Sequence, residues 1–163
     1  MIRRGNLALG LALAVLVVAL DQASKAWMMA LLDPPRMVPL TGFFDLIPVW
    51  NRGVSFGILA SHGGSTAWLL SGLAVAVAIG LIIWLGRAER QLLALGLGFV
   101  IGGALGNVID RSRFGAVFDF LDFHAAGWHF PAFNLADSAI TLGVGLLLLD
   151  GLVSGRAAGP ARS

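Results

Sequence analysis

Asn134 and Asp137 open an apolar run, FNLADSAITLGVGLLLL, from Phe133 to Leu149. The run is long enough to enter a membrane. An ionisable side chain there costs roughly 2.5–3.5 kcal/mol at a helix centre and less near the interface. Asp137 is therefore a candidate functional group that needs a partner. The stretch GAVFDFLDF supplies Asp119 and Asp122, each flanked by apolar residues, and Asp110 is a third candidate. A carboxyl among aromatics at a membrane surface is partly desolvated, which raises its pKa. If such an acid meets Asp137, the two cannot both ionise comfortably. They share a proton, so that one activates water while the other donates to a carbonyl oxygen. That is aspartic-protease chemistry, and its titration belongs to the pair. Spacing alone leaves the partner open, and it leaves open simple ion pairing of these acids with Arg36, Arg111 or Arg113.

Other polar residues are also out of place. Asp21 and Lys25 are four apart, on one helical face, with the acid first, and read as a structural ion pair. Asn107, Asp110 and Arg111 close GGALGNVIDR, where Gly102, Gly103 and Gly106 allow close helix contact. Asn107 and Arg111, four apart, can face one cavity and position a substrate. Competing chemistries are weaker. Cysteine is absent, which removes disulfides, thiolate metal sites and thiol nucleophiles. His62, His124 and His129 lack ligand spacing, so neither a metal nor another cofactor is expected. Ser24 adjoins Lys25, but neighbours on a helix point about 100° apart. Ser55 or Ser138 reaches Lys25 only through an unspecified fold.

The elements that must hold these groups are membrane helices. Of 163 residues, 58% are hydrophobic and 12% charged, against about 25% charged in a soluble domain. The mean hydropathy is +0.86. Lipid must be part of the solvent. The expected architecture is an all-α integral membrane protein of one domain, 1–163, with spans at about 6–32, 66–85, 91–109 and 135–153. Connections 33–65 and 110–134 are expected outside, with a small β-sheet and loop layer whose strands lie in the first. Pieces of RMVPLTGFFDLIPVWNRGVSFGIL, broken by Pro39, Gly42, Pro48 and Gly53, predict a hairpin or small sheet. SHGGS, 61–65, reads as a join into the second span. The basic start resembles a signal peptide, but the apolar pattern runs on through DQASKAWMMALL, which favours a retained span. Arg3, Arg4, Arg87, Arg90, Arg156 and Arg162 all fall on one side of four spans. The positive-inside rule makes that side cytoplasmic, with both termini. The net charge of +2 and the lack of a basic patch argue against nucleic acid.

The strings DQASK, NRGVSFG, GGALGNVIDR, GAVFDF and FNLADSAI occur in this order across nearly the whole chain. Together they resemble the bacterial lipoprotein signal peptidase family, signal peptidase II. The resemblance implies an aspartic endopeptidase of the bacterial cytoplasmic membrane. Such enzymes remove the signal peptide from prolipoproteins whose cysteine carries a diacylglyceryl group. It also implies that Asp119 and Asp137 are the catalytic pair. Asp21, Lys25, Asn51, Gly53, Asn107, Asp110, Arg111 and Asn134 would support the site or position substrate. Membrane lipid and globomycin-type inhibitors are further implied partners, and four spans with complete motifs suit a monomer. The rivals are a small transporter, a membrane scaffold, and an intramembrane aspartic protease with deeper acids.

Overall fold

The computed structural model describes residues 4–53 and 65–157. Four helices carry the chain: α1 (Arg4–Leu31), α2 (Ser65–Leu85), α3 (Gln91–Phe114) and α4 (Leu135–Ala157). All four are long and apolar enough to cross a membrane. A helix satisfies its backbone polar groups within the segment, as hydrocarbon requires. Four strands, β1 (Val38–Thr41), β2 (Phe44–Asn51), β3 (Val117–Ala125) and β4 (Trp128–His129), form an antiparallel sheet in chain order.

This is the expected fold class, with two differences in detail. The sheet draws β3 and β4 from the second connection as well as β1 and β2 from the first. The third helix continues to Phe114 rather than ending near Ile109, so Asp110 and Arg111 lie on its last turns. Nothing in DRSRF breaks a helix. Arg111 and Arg113 suit its carbonyl end, and it stops at Gly115. That residue has φ 71° and donates its N–H to the Arg111 carbonyl, a left-handed cap that favours glycine. The join expected at 61–65 falls on residues 61–64, outside the described residues, except for Ser65, which opens α2.

α3 is the axis of the bundle, packed against α1, α2 and α4. Its glycines make this possible. A Cβ at Gly98 would lie 2.6 Å from the Gly10 carbonyl oxygen, and one at Gly102 would lie 2.7 Å from that of Ala14. One at Gly106 would lie 2.6 Å from Asp21 Oδ2. These residues recur every four positions on the face toward α1, the spacing that lets membrane helices approach closely. Gly106→Ala is expected to push the Asp21 carboxylate aside and to cost about 1–3 kcal/mol, as overpacking does. Thermal unfolding in detergent reads this, and an unchanged midpoint would contradict the close fit.

The two ends of the bundle differ. At one end, the Asn6 side chain donates to the Ala88 carbonyl at 3.1 Å, and Arg90 pairs with Asp150 at 2.6 Å. The sheet and almost all the other buried polar residues lie at the opposite end, where α1 and α3 finish and α4 begins.

Candidate active site

Asp119 lies on β3, opposite Val49 of β2, just past an irregularity in the register. Two residues farther along, Leu121 exchanges backbone hydrogen bonds with Phe133 at 2.9 and 3.1 Å. This pins the chain against β3 two residues before α4, so Asn134 arrives beside Asp119. Asn134 then caps the helix. Its Oδ1 accepts the Asp137 N–H at 3.0 Å, and the Asp137 carboxylate accepts the Asn134 N–H at 3.2 Å. This reciprocal pair is a capping box. It explains why an amide and an acid stand where the apolar run begins.

The same asparagine reaches the second acid. Asn134 Nδ2 donates to Asp119 Oδ1 at 2.7 Å. Asn51 Nδ2 donates to the other Asp119 oxygen at 3.0 Å. Asn107 Nδ2 donates to Asp137 Oδ1 at 2.8 Å. Every carboxylate oxygen of the two acids thus receives an N–H. Gly53 has φ +80° and sends its own N–H to Asn51 Oδ1 at 2.9 Å. That turn fixes the direction of the Asn51 amide and needs a residue at ease with positive φ.

Beneath the amides lies a buried ion triad. Lys25 Nζ sits 2.9 Å from Asp21 and 2.8 Å from Asp110, and all three side chains are at most 1% exposed. The acids also hold backbone. Asp21 Oδ1 accepts the Ala136 N–H at 3.0 Å, and Asp110 Oδ2 accepts the Phe118 N–H at 3.1 Å. Lys25 therefore ties α1 to the start of α4 and to β3. Gln22 escapes sequence reasoning. Its amide donates to Asp110 at 2.9 Å, to Asp21 at 3.1 Å and to the Gly106 carbonyl at 3.3 Å. The available signal is a polar amide inside an apolar span.

The residues singled out from the sequence thus converge, and the other candidates go elsewhere. Asp122 pairs with His129 at 2.8 Å, and Asp110 belongs to the triad. Among the described residues no arginine forms an ion pair with Asp119 or Asp137. Arg36 instead donates to the Leu31 carbonyl, and Arg113 reaches Gln22 at 3.5 Å. His124 Nε2 lies 3.1 Å from Asp45 but makes no hydrogen bond among the described residues. Ser24 and Ser138 donate to the carbonyls of Asp21 and Asn134 rather than meeting Lys25. Ser55 and His62 lie outside the described residues. Arg111 sits within the electrostatic reach of Asp137, Asp119 and Asp110, and its buried Nε has no hydrogen-bond partner among the described residues.

The family model for signal peptidase (SPase) II matches residues 13–153, most of the chain and all of this cluster. The chain belongs to the signal peptidase II family. A lipoprotein signal peptidase of Methylorubrum extorquens (strain PA1) is 47% identical over 148 residues, covering 88% of this chain and 85% of that protein. One from Azoarcus sp. (strain BH72) is 48% identical over 156 residues, 93% and 89% of the two chains. Two solved bacterial membrane enzymes superpose with TM-scores of 0.77 at 27% and 28% identity. The first alignment covers 94% of this chain and 93% of that enzyme, the second 88% and 92%. This member of the signal peptidase II family is accordingly a multi-pass membrane protein.

Within this signal peptidase II chain the two acids are unequal. Asp119 is 1% exposed, whereas Asp137 is half-buried. Burial pushes the Asp119 carboxyl up to about 6. The Asn51 and Asn134 hydrogen bonds and the charge of Lys25 act against the rise, and the charge of Asp137 adds to it. The folded chain therefore binds this proton more tightly than the unfolded chain. The stabilisation is complete below about pH 4 and is lost as pH rises to about 6 and beyond, on the order of 3 kcal/mol. Wild type should melt at progressively lower temperature from pH 4.5 to 7, relative to Asp119→Asn. Parallel profiles for the two proteins would contradict the assignment.

Proposed function

We propose that this chain is an aspartic endopeptidase that removes signal peptides from diacylglyceryl-modified prolipoproteins. One observation carries the reading. A single residue, Asn134, hydrogen-bonds both Asp119 and Asp137, from its side chain and its backbone. Two carboxyls held together by donors, with no arginine in ion-pair contact among the described residues, suit a pair that shares a proton.

Asp119, the more buried acid, holds the proton and polarises the scissile carbonyl. Asp137, half-buried, takes a proton from water as that water attacks the carbonyl carbon. The tetrahedral intermediate collapses when a proton passes to the leaving amine of the modified cysteine. No acyl-enzyme forms. The Arg111 Nε–H, without a partner among the described residues, suits a substrate carbonyl or a lipid ester oxygen.

The location fits the substrate. The acids lie where α3 ends and α4 begins, opposite the Arg87 and Arg90 connection. With that connection cytoplasmic, both termini are cytoplasmic and the acids face the outer surface. A signal helix in the bilayer with its acyl chains in the outer leaflet brings its scissile bond to that depth. Globomycin-type inhibitors would occupy the same site, and the chain would act as a monomer in one membrane domain.

The test is cleavage by purified enzyme of one prolipoprotein with and without its diacylglyceryl group. The expected result is a cut immediately before the modified cysteine and at least about 100-fold slower turnover of the unmodified form, a difference of about 3 kcal/mol in the transition state. Equal rates on both forms would overturn the substrate assignment.

A further inference from the structure

Three asparagines surround the acids, and the side-chain oxygen of each accepts a hydrogen bond that fixes its amide. Asn51 Oδ1 is held by the Gly53 N–H at 2.9 Å, and Asn134 Oδ1 by the Asp137 N–H at 3.0 Å. Asn107 Oδ1 accepts from Lys25 Nζ at 3.2 Å and from Asn134 Nδ2 at 3.2 Å. An amide has two faces of nearly equal shape, and which one meets a carboxylate is decided by its other partners. Lys25 is unlike the other donors because it comes from α1, which supplies neither Asp119 nor Asp137 and none of these three asparagines.

We infer that Lys25 is a positioning residue that, through Asn107, keeps an N–H donor facing Asp137. An ammonium donates and never accepts. Two of its three N–H bonds go to Asp21 and Asp110, and the third goes to Asn107. If the Asn107 amide turned over, its NH2 would face the Lys25 ammonium and the Asn134 NH2, with no acceptor among them. Its oxygen would meanwhile face the Asp137 carboxylate. Lys25 excludes that arrangement, so the amide that meets Asp137 is always a donor, directed at the carboxylate that takes the proton from water. Asp21 and Asp110 hold the ammonium in place. The effect runs from α1 through α3 to α4, and no substrate contact by Lys25 is needed. This rests on the proposed catalytic roles of Asp119 and Asp137.

Two sets of variants test it. Asn107→Asp keeps the shape and the Lys25 contact but replaces the N–H facing Asp137 with an oxygen. At pH 7 kcat should fall at least about 100-fold, within the range of general acid–base contributions, with KM changed less than about threefold. Two facing carboxylates cannot both ionise comfortably, so as pH falls they come to share a proton and a donor returns, and at least about tenfold of the loss should be recovered relative to wild type. A loss constant across pH would mean that Asn107 merely packs, and would overturn the inference. Asp21→Asn with Lys25→Met removes the ammonium at constant net charge. This double variant should lose kcat rather than KM, and adding Asn107→Leu should cost little more, because all three act along one path. A folded double variant with near-wild-type kcat would overturn the inference, as would losses that multiply. If the double variant does not fold, the pH response of Asn107→Asp decides. Turnover by Asp119→Asn or Asp137→Asn would instead sink the catalytic assignment.

Discussion

Lys25→Met alone is expected to destabilise the folded chain by about 3–5 kcal/mol, the usual consequence of removing one partner from a buried ion pair. A typical folded protein has about 5–15 kcal/mol in total. Asp21 and Asp110 are both 0% exposed, so without the ammonium two carboxylates are left facing each other out of water. The damage spreads, because the same acids accept the N–H groups of Ala136 and Phe118. Those contacts hold the start of α4 and the β3 segment before Asp119. Thermal unfolding in detergent should show a large fall in midpoint, and adding Asp21→Asn should recover much of it. A Lys25→Met protein as stable as wild type would mean that the triad is not a buried unit.

Asp137→Asn and Asp119→Asn are each expected to lower turnover by at least about 1000-fold, a loss of about 4 kcal/mol of transition-state stabilisation. The isosteric amide cannot take a proton from water or hold one for the carbonyl. It also brings an NH2 toward partners that already donate. Asp119 receives N–H groups from Asn51 and Asn134 on its two oxygens, so one of those bonds must be lost in the variant. Some local rearrangement should accompany Asp119→Asn, whereas Asp137→Asn, half-buried at the helix start, should disturb the fold less. Circular dichroism and melting of each variant separate lost chemistry from lost structure.

Much of this organisation is legible in the sequence because lipid makes polar residues conspicuous. Asp21, Lys25, Asn107, Asp110 and Asn134 stand out in apolar runs, and the structure brings all five into one network. The glycines of α3 likewise announce a helix that neighbours approach closely. The choice among Asp119, Asp122 and Asp110 as neighbour of Asp137 was not legible from spacing. It depends on Phe133 pairing with Leu121, a long-range backbone contact that no local pattern encodes. Asp122 has apolar flanks as Asp119 does, Leu121 and Phe123 against Phe118 and Phe120, but it pairs with His129 instead. The third helix outran its expected end because the apolar run stops at Ile109 while the helix does not. Hydropathy marks where lipid ends, and only Gly115 marks where the helix ends. Gln22 was overlooked because one amide beside an acid reads as incidental until α3 is packed against it.

The most direct test of the catalytic assignment is a cleavage assay with purified wild type, Asp119→Asn and Asp137→Asn on a diacylglyceryl-modified prolipoprotein. Binding is measured on the same samples. The expected result is cleavage by wild type alone, with both variants folded and still binding the substrate. Near-wild-type turnover by either variant would contradict the account and make that aspartate a structural residue.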